Sequence, residues 1–102
     1  PYGSVAFLSK KATVIYGFVK TSSGAPIAGA KIELYRGSAL LYTETTDADG
    51  FYCFIDGCDG VTLTGGTTYT VVCTLSGSPP PMSQYVIAES LKAVSVNFTK
   101  KD

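Results

Sequence analysis

The sequence predicts an all-β fold, an antiparallel β-sandwich of about seven short strands. Apolar residues recur at every second position along most of the chain, and helical periodicity is nearly absent. The candidate strands are separated by Gly-, Pro-, Asp- and Ser-rich stretches at fairly even spacing, as in a sandwich. At 102 residues the chain suits one domain with one core.

The elements follow in order. Residues 11–20 (KATVIYGFVK) read as the first long strand. Residues 30–35 (AKIELY) read as the second, with Ala30, Ile32 and Leu34 inward and Lys31, Glu33 and Tyr35 outward. A third covers 40–46 (LLYTETT), and Asp47–Gly50 reads as an Asp-Gly hairpin turn into a fourth at 51–55. In that fourth strand Tyr52 and Phe54 point inward and Cys53 outward. A fifth covers 67–75, with Tyr69, Val71 and Cys73 inward. Three consecutive prolines make 76–83 a loop, because proline cannot donate to a ladder. Residues 84–90 and 92–100 supply the last one or two strands. Residues 1–11 are set apart as an N-terminal extension or donor-strand segment, with 12–102 as the sandwich domain. A start at Pro1 rather than Met is read as a processed or excised product.

With the strands laid out, residues 15–72 resemble the carboxypeptidase regulatory-like domain. The resemblance rests on Gly17 and Val19, then Gly24, Pro26, Ile27, Gly29, Ala30, Ile32 and Leu34, then Thr46, Asp47, Gly50, Tyr52 and Phe54, then Tyr69 and Val71. It implies a prealbumin-like, Ig-like sandwich whose pattern records packing rather than a chemical site. Gly29 suits a close approach or a positive φ, and Gly50 a left-handed turn position. The related Cna-B-type domains cross-link a first-strand Lys to a last-strand Asn; alignment puts their Lys position on Phe18, leaving Lys20 and Asn97 as the remaining pair. Residues 73–83 (CTLSGSPPPMS) are similar to a stretch of Ole e 1-like proteins, whose first-strand Cys is missing here. Tyr35-Arg36-Gly37-Ser38 also occurs in transthyretin-like hydroxyisourate hydrolases, where it closes the chain and works with histidines. This chain has no histidine.

Composition narrows the function. Eight Lys and Arg balance eight Asp and Glu, so no cationic footprint exists for nucleic acid, and low net charge favours self-association. The short apolar block 5–8 cannot span a membrane, so no membrane insertion is expected. Many Ser, Thr and Gly with few charges suggest an extracellular or cell-surface domain. Without His the usual general base and the commonest zinc ligand are missing, and no catalytic, cofactor or metal site is expected. Asp47, Asp49, Asp56 and Asp59 read as turn residues rather than a carboxylate pair or a calcium site. The expectation is that the chain is not an enzyme.

The three cysteines are Cys53, Cys58 and Cys73. Strand alternation buries Cys73, which favours a Cys53–Cys58 disulfide; Cys58–Cys73 and an intermolecular bridge stay open. Asn97 opens the N-glycosylation tripeptide Asn97-Phe98-Thr99 on an outward position.

One feature exceeds what a lone sandwich needs. Ile15, Gly17 and Val19 form the inward set of the first strand, yet Val14, Tyr16 and Phe18 face the other way. With the first strand read as an edge strand, this stripe is a docking surface. Val5, Phe7 and Leu8 in the preceding segment are its natural complement. Residues 3–9 either fold back over their own sheet or add as a strand to a neighbouring copy, and head-to-tail addition makes a filament. The sequence therefore predicts a structural module that self-associates through Val5, Phe7, Leu8, Val14, Tyr16 and Phe18. The alternative is an accessory binding domain recognising carbohydrate or protein through Tyr35, Tyr42 and Tyr85.

Overall fold

The structure, a computed structural model, describes residues 12–58, 60–77 and 80–100. Among them are eight strands: β1 (Val14–Thr21), β2 (Lys31–Arg36), β3 (Ala39–Thr45), β4 (Phe51–Ile55), β5 (Thr68–Thr74), β6 (Met82–Ile87), β7 (Ala93–Ser95) and β8 (Phe98–Lys100). They form two sheets. One has β4 and β7 on either side of β1, with β8 also on β1; the other runs β3-β2-β5-β6. This is the predicted sandwich, with its last strand divided in two.

The alternation along each strand builds the core. Ile15 and Val19 from β1, Tyr52 and Phe54 from β4, Ile32 and Leu34 from β2, and Tyr69, Val71 and Cys73 from β5 meet between the sheets. Aromatic packing adds direction there, with the Tyr52 and Phe54 rings edge to face at 6.0 Å. Burial pushes the Cys73 thiol up from 9.0 to about 11, and raises the Tyr52 phenol well above its ordinary range, chiefly by desolvation and secondarily through Cys73. Both groups hold their protons more tightly folded than unfolded. The Cys73 contribution to stability is complete below pH 9 and is lost as pH rises toward 11, while that of Tyr52 is complete below pH 10 and is lost only above it. Thermal midpoints measured by circular dichroism should accordingly be level up to pH 9 and fall above it. A Cys73→Val variant should fall less steeply, by on the order of 2 kcal/mol over that window.

Three expectations about connectivity are corrected. The Asp47–Gly50 turn does not close a hairpin, because β3 pairs with β2 and β4 with β1; it carries the chain from one sheet to the other. Asp47 still makes the turn as its sequence suggests, its Oδ1 accepting the backbone N–H groups of Asp49 (2.9 Å) and Phe51 (3.0 Å). Next, β1 is a central strand, with β4 antiparallel on one side and β7 and β8 parallel on the other. Finally, that parallel pairing departs from the otherwise antiparallel ladders. The link from β6 crosses between sheets at residues 88–92, where Leu91 takes φ 58° and its N–H bonds to Thr13 Oγ1. The chain thus re-enters beside the start of β1, running the same way.

The break between β7 and β8 has a local cause. The Val96 N–H bonds to the Tyr16 carbonyl at 2.7 Å, and the Val96 carbonyl turns inward to accept the Tyr52 hydroxyl at 2.6 Å. That carbonyl fills the place a Cβ on Gly17 would take, so only glycine fits opposite Tyr52. One residue on, Asn97 Oδ1 accepts the Phe18 N–H at 2.9 Å. A side-chain amide replaces the ladder bond that the break removes.

The Gly29-Ala30 step is also resolved. Gly29 has φ 76° with open space where a Cβ would stand, so its positive φ, and not a close approach, selects glycine. Ala30 is buried beneath the loop, and its N–H bonds to Thr46 Oγ1, which in turn donates to the Ile27 carbonyl. Thr46 therefore clamps the loop before β2 to the end of β3.

Candidate functional site

The candidate site is the outward face of the β4-β1-β7 sheet. Val14, Tyr16 and Phe18 alternate outward from β1, and their register sets them against Ile55, Cys53 and Phe51 on β4. Together with Ala12 and Ala93 they form a second apolar cluster, separate from the core, in which Val14 and Phe51 are buried and the others half-buried. Phe18 and Phe51 pack with ring centroids 5.3 Å apart, and Tyr16 lies 6.2 Å from Phe51. The ammonium of Lys20 sits 5.2 Å from the Phe18 ring centroid, bounding the cluster with a cation.

Two hollows flank this face. One, of about 230 Å³, is lined by Phe18, Lys20, Asn97, Phe98 and Thr99. The other, of about 120 Å³, is lined by Glu44, Cys53, Ile55, Cys58 and Val61. Each predicted docking residue on β1 therefore lies in one contiguous apolar patch, whereas Val5, Phe7 and Leu8 lie outside the described residues. What the sequence reading missed is the share of β4: Phe51 and Ile55 alternate with the inward Tyr52 and Phe54, the same two-faced pattern seen in β1.

Other predicted positions are dispersed. Asn97 is exposed, but its carboxamide is engaged by the Phe18 N–H, and its carbonyl accepts Gln84 Nε2 from β6, so a glycan on Nδ2 would share that group. Phe18 and Lys20 line one hollow with Asn97. Cys73 is buried in the core, whereas Cys53 is half-buried on the outward face and Cys58 exposed in the turn after β4. Asp47 and Asp56 each cap a turn, the latter through Leu63 N–H at 2.9 Å. Among the described residues no three His, Cys, Asp or Glu converge; Asp59 lies outside them. Of the tyrosines, Tyr85 is 80% exposed, but Tyr35 is half-buried. Tyr42, expected to be exposed, is half-buried against Phe54 with its hydroxyl accepting the Thr62 N–H at 2.8 Å. Tyr35-Arg36-Gly37-Ser38 ends β2 and enters the turn to β3, an internal place unlike its place at the close of the hydrolases. No helix among the described residues is long and apolar enough to cross a membrane.

No protein-family model matches the chain, and no curated protein matches it. Solved structures do. The chain is similar to 5-hydroxyisourate hydrolase of Klebsiella pneumoniae, at 13% identity and a TM-score of 0.65, over 86% of this chain and 89% of that one. It is similar to chlorocatechol 1,2-dioxygenase of Pseudomonas putida, at 13% identity and a TM-score of 0.59, over 92% of this chain and 61% of that one. It is also similar to the C-terminal fragment of pilus adhesin SpaC of Lactobacillus rhamnosus GG, at 15% identity and a TM-score of 0.57, over 90% of this chain and 45% of that one. The expectation that the chain is not an enzyme, drawn from its missing histidine and lack of a carboxylate pair, is overturned here, since a hydrolase and a dioxygenase share its sandwich. Chemistry resides in side chains placed on a fold, and the fold does not exclude it. What the sequence resemblance, the strand order and these neighbours jointly establish is the fold: the chain is a prealbumin-like, Cna-B-like β-sandwich.

Proposed function

We propose that this domain is a self-associating structural module of a cell-surface or extracellular assembly, joined copy to copy through its N-terminal segment and the outward face of β1. The observation that carries this reading is the two-faced strand: β1 sends Ile15 and Val19 into the core and Val14, Tyr16 and Phe18 into a second apolar cluster outside it. A solitary sandwich needs only the first set. Because β1 is flanked on both sides, an added strand does not pair beside it; Val5, Phe7 and Leu8 of one copy pack across the face of the next. Such a contact is heterologous and need not close, so it propagates into a filament. The Ser- and Thr-rich composition and the similarity to a pilus adhesin fragment support a surface setting.

The test compares the full chain with one lacking residues 1–9 by light scattering and negative-stain microscopy. Assemblies are expected from the full chain and should disappear on truncation. They should also disappear in a full-length Tyr16→Ser, Phe18→Ser variant that keeps its β-sheet circular dichroism. A monodisperse monomer in every sample overturns the reading.

A second reading is favoured by a separate surface. On the outer face of β3-β2-β5-β6 the register aligns Tyr35, Thr70 and Tyr85 in one row, with the exposed Leu40 and Ile87 at its margins. An accessory domain that stacks a carbohydrate or seats a protein would present such a row. Glycan binding by a monomer, weakened by Tyr85→Ala, would select it.

A further inference from the structure

The three thiols divide between the two sides of the β4-β1-β7 sheet. Cys73, on β5, lies wholly buried between the sheets. Cys53 belongs to the cluster on the opposite, outward side, across from Tyr16 in the ladder. Cys58 lies in the exposed turn after β4. That turn folds back on the strand: the Cys58 N–H bonds to the Ile55 carbonyl at 3.0 Å, the Val61 N–H to the Cys58 carbonyl at 2.9 Å, and the Gly57 N–H to the Val61 carbonyl at 2.9 Å. The return places Cys53 and Cys58 in the lining of one hollow of about 120 Å³, with Glu44, Ile55 and Val61.

We propose that Cys53 and Cys58 form an intrachain disulfide that ties the turn after β4 to the outward face of the first sheet. Sulfur–sulfur bonding requires approach to about 2.05 Å, and so some movement of one partner. Cys53 is held in a ladder, so the turn moves. Gly57 and Gly60, both at positive φ (86° and 77°), bracket Cys58 and give the turn its freedom. Pairing of Cys53 with Cys73 is closed, because Cys53 lies on the outward side of the first sheet and Cys73 is buried between the sheets.

The bond forms by exchange with a small disulfide such as oxidised glutathione. The Cys58 thiolate, the accessible one, attacks a sulfur of the reagent and expels one glutathione thiolate, giving a mixed disulfide on Cys58. The Cys53 thiolate then attacks the Cys58 sulfur and expels the second glutathione. Two cysteine thiols are oxidised, one glutathione disulfide is reduced to two thiols, and the two protons pass to the departing thiolates. The pairing does not rest on self-association.

The test equilibrates the full chain in a glutathione redox buffer, traps remaining thiols with iodoacetamide and maps the peptides without reduction. The expected product is a monomer about 2 Da lighter before trapping, linked Cys53 to Cys58, with Cys73 alkylated only after denaturation. In Cys58→Ser no intrachain bond should form, and Cys53 should be trapped as a thiol. A Cys58–Cys73 link, a Cys58–Cys58 dimer, or a mixed disulfide on Cys58 that Cys53 never displaces would each overturn the proposal.

Discussion

Replacing Gly17 with alanine is expected to cost about 3 kcal/mol and to lower the thermal midpoint by roughly 10–20 °C. The added Cβ would overlap the Val96 carbonyl oxygen, and would stand 2.7 Å from the Val96 carbonyl carbon and 2.9 Å from the Tyr52 hydroxyl. None of the three can yield cheaply. The carbonyl is fixed on one side by the Tyr52 hydroxyl and on the other by the ladder bond from Val96 N–H to Tyr16. Tyr52 itself is buried in the core. Relief therefore requires the last strand to leave β1 near its break, which also exposes Val96 and Phe98. Tyr52→Phe alone should cost about 1–2 kcal/mol, since it leaves a buried carbonyl unsatisfied. Combined with Gly17→Ala it should cost less than the sum, because both act on the same carbonyl. Chemical denaturation of the four species completes the cycle. A midpoint within a few degrees of the parent for Gly17→Ala would show that the last strand does not need this approach.

Gly50→Ala should be nearly as damaging, at about 2–4 kcal/mol. Two costs combine there. Gly50 has φ 74°, which a Cβ disfavours by about 1 kcal/mol, and that Cβ would also overlap the Val19 carbonyl oxygen. The same neighbourhood holds three segments together: Val19 N–H bonds to the Gly50 carbonyl at 2.8 Å, and Ile27 N–H to the Val19 carbonyl at 2.9 Å. Gly29→Ala is the control. It shares the positive φ but meets nothing within 4 Å, so it should cost only about 1 kcal/mol. Amide exchange at Val19 and Ile27 should accelerate in Gly50→Ala and stay near the parent in Gly29→Ala. Equal losses in the two variants would show that backbone conformation alone decides.

These two glycines mark how far the sequence was legible. Alternation identified which side chains of β1, β2, β4 and β5 meet in the core, because the period of two is written locally in Ile15, Ile32, Phe54 and Val71. It also flagged Val14, Tyr16 and Phe18 as facing outward. Alternation names a face but not a neighbour. Nothing local in Gly17 shows that residue 96 presses on it, nor in Asp47–Gly50 that the flanking strands belong to different sheets. The central place of β1 depends on the return of residues 93–100, some eighty positions away. The same holds for the site: its β1 half was legible, but joining it to Phe51 and Ile55 required knowing which strand pairs with β1.

The parallel pairing of the first and last strands also decides how the domain bears tension. β1 begins at Val14 opposite Ala93 and ends at Thr21 opposite Lys100, so residues 12 and 100 stand at opposite ends of one seam. A force that pulls those two points apart slides β1 lengthwise past β7 and β8. The hydrogen bonds of the seam lie across that motion and share the load at once, where a hairpin pulled from its open end would give way bond by bond. The Gly17–Val96 contact adds an interlock along the direction of sliding. Carried between residues 12 and 100, tension meets a shear clamp rather than a zipper.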